Sequence, residues 1–190
     1  QTEEIDSKNA EYEQMIADMR AEYEAQLNSL RETIANQNAI EEAERVTEYE
    51  QRTQATSEML GKMLGIPMPR RIESFDISNI SGADIVSSMV VFENGKPKKN
   101  EYRRIKIKTV EGQNDLMSMK ETLVRRFRYL VEVSEKNPFG PAPDLVLMDG
   151  GSNQVAVAVE VLNTYGLDIP VYGLVKDNKH RTRGIITPEG

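Results

Sequence analysis

The stretch from residue 144 to residue 176 most narrows what this chain can fold into. An apolar run at residues 145–148 closes on Asp149, Gly150 and Gly151, a segment of helical spacing covers residues 152–165, and a second apolar run occupies residues 171–175. Two short apolar runs bridged by a helix form a strand-helix-strand unit, and a crossover of that length makes the two strands parallel. A parallel pair needs helices over the sheet, which places the domain in the α/β class.

The segments before this unit extend the sheet. Residues 72–76 and 84–92 are rich in Ile, Val and Phe, are separated by Asn79, Ser81 and Gly82, and read as adjacent strands. Glu93, Asn94 and Gly95 supply the next turn, and residues 101–109 alternate Arg104, Lys106 and Lys108 with Arg103, Ile105 and Ile107. That period of two puts three cations on one face of a third strand. Asn114 or Asp115 then caps a helix whose apolar positions Leu116, Met119, Leu123, Phe127 and Leu130 keep helical spacing as far as Val133. Residues 137–143, with three prolines, form a stiff loop before residue 145.

Residues 6–50 contain neither proline nor glycine, and Tyr12, Ile16, Met19, Tyr23, Leu27, Leu30 and Ile34 recur at spacings of three and four. This predicts a long helix with a narrow apolar stripe. Gln26 and Thr33 interrupt a strict heptad, so residues 10–35 fit either a contact with a partner helix or packing on the chain's own domain. A short second helix is expected at 53–64. Gly65, Pro67 and Pro69 then stop it, giving an expected organisation of a helical extension at 1–64, a linker at 65–71 and a compact domain at 72–190.

Charge separates these parts. The net charge of -7 hides a balance of -10 over residues 1–60 and +3 over residues 61–190. Between Lys96 and Arg128 there are 11 cations and 4 acids, including the 104/106/108 stripe and Arg125, Arg126 and Arg128. A second basic group comprises Lys176, Lys179, His180, Arg181 and Arg183. Both fit a surface that tracks phosphates, and the scarcity of interleaved aromatics favours a duplex backbone over stacked single strands. The bland alternative is an ordinary solvated face.

With no cysteine and one histidine, a metal in this chain has to be held mainly by oxygen, which suits Mg²⁺ or Mn²⁺. Asp76 and Asp149 are the candidates, each following an apolar run where a lone carboxylate is costly to desolvate unless a cation compensates. Asp149 also reads as a cap for the helix beginning at Ser152. No apolar run approaches the roughly 18 residues of a membrane span, and the acidic start lacks a signal-peptide pattern.

Several motifs carry a family resemblance. Arg70-Arg-Ile-Glu-Ser-Phe-Asp-Ile-Ser-Asn79, Ser87-Ser-Met-Val-Val-Phe92, Gly95-Lys-Pro97, Glu101-Tyr-Arg-Arg104, Asp144-Leu-Val-Leu-Met-Asp-Gly-Gly151 and Lys176-Asp-Asn-Lys-His-Arg181 are similar to UvrC, the excinuclease family of bacterial nucleotide excision repair. The likeness spans about residues 52–187. It departs at Asn79, where the family commonly has histidine, and at Ser152-Asn153, where it commonly has Lys-Gly.

The resemblance implies an RNase H-like mixed sheet, three antiparallel strands followed by helix, strand, helix, strand. It also implies a cytoplasmic DNA endonuclease that cuts on the 5′ side of a lesion in double-stranded DNA, in a complex with UvrB. Asp76 and Asp149 match the family's two metal-binding aspartates, and Asp115 matches a further acid implicated in the incision. Arg103, Arg104, Lys106, Lys108, Arg125, Arg126, Lys176, Lys179, His180, Arg181 and Arg183 are the expected DNA contacts. The family's catalytic histidine falls beyond Gly190, so the 190-residue chain alone is expected to cleave poorly. The rival expectation is a non-catalytic module that holds DNA on its basic face and recruits a protein through its acidic helix.

Overall fold

The computed structural model describes residues 2–80, 84–110, 112–133 and 136–189, with the side chains of Thr2, Asn79 and Ile80 set aside. It divides into two units, Gln1–Gln51 and Arg52–Gly190. Helix α1, Thr2–Leu64, runs through both. The expected break before residue 53 is absent, because residues 50–56 contain good helix formers and no glycine or proline to end the ladder.

In the first unit α1 is solvated on nearly every side. Tyr12, Ile16, Met19, Tyr23, Leu30 and Ile34 are all exposed, so the apolar stripe has no cover within this unit. Local pairs such as Gln14 to Asp18 and Arg45 to Glu42 support the helix from outside.

In the second unit the sheet contains β1 (Arg71–Ile80), β2 (Asp84–Glu93), β3 (Lys96–Pro97), β4 (Arg103–Lys106), β5 (Leu145–Asp149), β6 (Val171–Lys176) and β7 (Thr182–Ile186). The order is β3-β2-β1-β5-β6-β7, with β4 also paired to β2. Strands β1, β5 and β6 are mutually parallel and the remaining pairings are antiparallel. This is the expected mixed sheet. The third strand expected at 101–109 is shorter, β4 at Arg103–Lys106, and is preceded by the two-residue β3 and a 3-10 turn at Lys99–Glu101, while β7 adds a hairpin that the sequence reading lacked.

Helices α2 (Asp115–Arg128) and α3 (Ser152–Thr164) bury one face of the sheet. Phe75, Met89, Val91, Ile105, Val146, Met148 and Val171 meet Met119, Leu123 and Phe127 of α2 and Val155, Ala158, Val161 and Leu162 of α3. The spacing of those positions is what made both helices legible in the sequence. The turn at Asn94 and Gly95 has positive φ at both residues, as a tight hairpin requires. A Cβ on Gly95 would sit 2.4 Å from the Thr53 carbonyl oxygen, so only glycine lets the last turns of α1 lie against this hairpin.

Beneath the core lies a charged cluster that the sequence reading did not foresee. Glu73 and Arg126 are both 0% exposed. Arg126 donates through Nε to Glu73 Oε1 at 2.5 Å, and through Nη2 to Glu73 Oε2 at 2.9 Å and to the Pro141 carbonyl at 2.6 Å. Arg71 adds Nη1 to Glu101 Oε2 at 2.6 Å and Nη2 to the Phe139 carbonyl at 2.9 Å. Removing one partner of such a pair strands a buried charge. Arg126→Met is therefore expected to lower the unfolding free energy by about 3–5 kcal/mol, read by urea denaturation; a loss below about 1 kcal/mol would show that the network is dispensable.

Candidate metal and DNA site

Strand register builds the site. The β1/β5 ladder runs from Ile72↔Leu145 to Phe75↔Met148. One step further on each strand come Asp76 and Asp149, which therefore lie side by side on adjacent parallel strands. Phe75 and Met148 point into the core. Because side chains alternate, the two aspartates project from the opposite face, which buries Ile72 and Leu145 at one end and leaves Asp76 exposed at the other.

Asp76 is not at the end of its strand, as the sequence reading had it. Strand β1 continues to Ile80, paired with β2 through Asp76↔Ser88 and on to Ile80↔Asp84. The aspartate instead marks the fork where β1 leaves β5 and stays with β2. Asp149 does close β5, and Gly150 and Gly151 carry the chain into α3. Space there is tight: a Cβ on Gly173 of β6 would lie 2.8 Å from the Gly150 carbonyl oxygen. Gly151 occupies the cap position of α3 without a side-chain bond, so Asp149 is not that cap.

The pair carries unfavourable like charge. Partial burial of its carboxyl raises the Asp76 pKa above the ordinary aspartate value, the neighbouring charge of Asp149 raises it further, and Asp115 adds a smaller push. The Ile77 backbone N–H and the Lys176 charge oppose these effects. Lys176, the last residue of β6, donates its Nζ proton to Asp149 Oδ2. That hydrogen bond, followed by the charges of Asp149 and Asp76, raises the lysine's own pKa. Asp115 stands exposed in the first turn of α2, where Asn114 does the capping by accepting from Met117 N at 3.0 Å. Among the described residues no group of three His, Cys, Asp or Glu side chains is placed to hold a metal. The cation-attracting feature at this site is the Asp76 and Asp149 pair, with a smaller contribution from Asp115.

The basic residues fall into two groups. Arg104, Lys106 and Lys108 are exposed while Ile105 and Ile107 are buried, so the predicted alternation holds. Lys106 pairs with Asp84 at 3.0 Å. Lys108 and Arg125 join Lys120 and Arg128 around a groove of 590 Å³ floored by Val110, Met117 and Val124. Glu121 holds that wall in place by accepting from Lys108 N, Thr109 N and Thr109 Oγ1 and pairing with Arg125. Lys120, one of the 11 cations counted between Lys96 and Arg128 but not named as a DNA contact, also pairs with Glu160 at 2.7 Å.

Two expected DNA contacts are spent elsewhere. Arg126 is wholly buried against Glu73, and so cannot meet DNA; helical periodicity alone does not separate it from its solvated neighbours Arg125 and Arg128. Arg103 is half-buried and bonds the Pro138, Asn100 and Tyr102 carbonyls. In the β6–β7 hairpin, Asp177 accepts from the backbone N–H groups of Lys179 and Arg181 and pairs with the Arg181 guanidinium. Lys179, His180 and Arg183 remain exposed there, with His180 at φ 58° shaping the turn.

The family described as the UvrC RNAse H endonuclease domain matches residues 61–189. The chain is 50% identical over 154 residues to the UvrABC system protein C of Clostridium perfringens, covering 75% of this chain and 25% of that protein. To the namesake from Thermoanaerobacter pseudethanolicus it is 42% identical over 178 residues, covering 88% and 27%. It thus spans about a quarter of the length of these relatives. Human endonuclease V is similar at 21% identity with a TM-score of 0.40, over 57% of this chain and 46% of that one.

The raised Asp76 pKa sets a pH test. Its folded form holds a proton more tightly than the unfolded chain, so stability falls as pH rises from the unfolded aspartate value through the folded one, and the cost persists above it. Asp76→Asn is expected to raise the metal-free melting temperature by about 1–3 °C at pH 7, with the gain vanishing at pH 3. An equal gain at both pH values would contradict an origin in the burial and like-charge repulsion of the ionised Asp76 carboxylate.

Proposed function

The chain belongs to the UvrC RNAse H endonuclease domain family, and from that premise we propose that it makes the incision 5′ to a lesion in double-stranded DNA. The reaction is hydrolysis of a phosphodiester with Mg²⁺ or Mn²⁺ held by Asp76 and Asp149. One observation carries this reading: two carboxylates are placed side by side by strand register on the sheet face away from α2 and α3, where their repulsion already draws in a cation, Lys176. The donor set of hard oxygens fits a hard divalent ion.

When bound there, such an ion supplies a water of lowered pKa and shields the phosphate charge. The chain's own residues do the rest. Asp76 and Asp149 bind and orient, and Asp115, at the start of α2, adds a smaller negative charge toward Asp76. Arg104, Lys106, Lys108 and the groove cations contact phosphates on one side, while Lys179, His180, Arg181 and Arg183 contact them on the other. These contacts fix the strand without reading its sequence. The setting is a cytoplasmic bacterial complex with UvrB, joined through parts of the protein outside this domain. Among the described residues no helix is long and apolar enough to cross a membrane.

Asp76→Asn or Asp149→Asn, placed in a UvrABC protein C that carries this domain, is expected to abolish 5′ incision of a lesion-bearing duplex while circular dichroism stays unchanged. Retained 5′ cutting would overturn the assignment. Lys108→Ala is expected to weaken duplex binding alike on all sequences and to reduce the salt slope of log Kd by about 1. Fluorescence anisotropy over a salt series checks it, and an unchanged slope would remove Lys108 from the DNA contacts.

A further inference from the structure

We propose that the Lys176 ammonium is a built-in counter-cation of the aspartate pair, one that holds Asp149 in the absence of a divalent ion and competes with that ion for it. This rests on the reading of Asp76 and Asp149 as metal ligands. Lys176 is thereby a positioning residue rather than only a contact to phosphate.

Topology puts the lysine there. Asp149 lies opposite Leu174 in the β5/β6 ladder, and Lys176, two residues further, shares the face of Leu174. A β-bulge between Val175 and Lys176 falls where the chain leaves the sheet. The Asp149 side chain is 20% exposed and the Lys176 side chain 38%, so the pair lies at the solvent edge of the sheet with its carboxylate the more covered partner.

The neighbouring cations do not take this role. Arg181 is engaged by Asp177, and Lys106 by Asp84. Lys176 is also the cation whose charge opposes the Asp149 push on Asp76, so one ammonium serves both carboxylates.

An ammonium and a divalent ion cannot share Asp149 Oδ2 without strong mutual repulsion. Lysine is suited to yielding, since its point charge sits on a flexible four-carbon stem. With a divalent ion on Asp149, the lysine would be displaced from that carboxylate and its three N–H donors would be free for an anion. The metal-free pair is thus kept from repelling itself, at a cost in affinity for the ion.

Calorimetric titration of the whole chain with Mn²⁺ alone, without nucleic acid, tests this. Lys176→Met is expected to bind Mn²⁺ about two- to fivefold more tightly than the parent, the fold-change that an ion pair of this exposure is worth. Lys176→Arg, which keeps the cation, is expected to stay near the parent. Equal or weaker binding by Lys176→Met, with its circular dichroism intact, would overturn the proposal.

If Asp76→Asn and Asp149→Asn leave Mn²⁺ binding of the parent untouched, the metal-ligand reading fails instead. The counter-cation is then judged in metal-free protein by a double-mutant cycle of Lys176→Met and Asp149→Asn in thermal melts. Non-additive melting shifts support it, and additive ones overturn it.

Discussion

The buried ion pair between Glu73 and Arg126 is the contact on which the remainder of the domain depends. Glu73 lies in β1 three residues before Asp76, and Arg126 lies in the last turn of α2. Arg126 and Arg71 also reach the carbonyls of Pro141 and Phe139, and Asp144 Oδ2 accepts from the Arg70 and Arg71 amides at 2.9 Å. The network therefore ties β1 to the helix above it and to the loop that delivers β5. A buried pair is a poor source of net stability, yet each half is expensive to leave alone, so the geometry is held tightly. One Arg126 nitrogen, Nη1, and Ser118 Oγ are buried without a hydrogen-bond partner among the described residues.

What that clamp positions is a sheet with two chemically opposite faces. Along β1 and β5 the core takes Phe75 and Met148, and the next residue on each strand is an aspartate on the other side. Close packing below leaves little freedom for the strands to slide, and a slip of one residue would turn Asp76 and Asp149 toward the core. Two carboxylates are thus kept near one another against their repulsion by apolar contacts on the reverse face. The energy stored in that repulsion is what a cation recovers, and Lys176 recovers part of it from within the chain.

The acidic and basic halves of the sequence have separate structural homes. The acids of residues 1–51 decorate a solvated helix, whereas the cations of the second unit gather around the α2 groove and the β6–β7 hairpin. A whole-chain charge of -7 says little about either surface. Steering of a polyanion depends on the local field within about a Debye length, near 10 Å at moderate salt.

Local features were legible in the sequence because short-range chemistry sets them. Proline-free spacing marked α1, Asn114 marked the start of α2, Asn94-Gly95 marked a hairpin turn, and the alternation from Arg104 to Lys108 marked an exposed basic edge. The parallel pair followed from the crossover between residues 149 and 171. The tertiary structure alone decided that Arg126 turns inward to a glutamate 53 residues away, that Asp76 and Asp149 become neighbours across 73 residues, and that Lys176 closes on the second of them. Those contacts depend on strand register and helix docking, which come from the packing of the whole core, and no window of neighbouring residues encodes them.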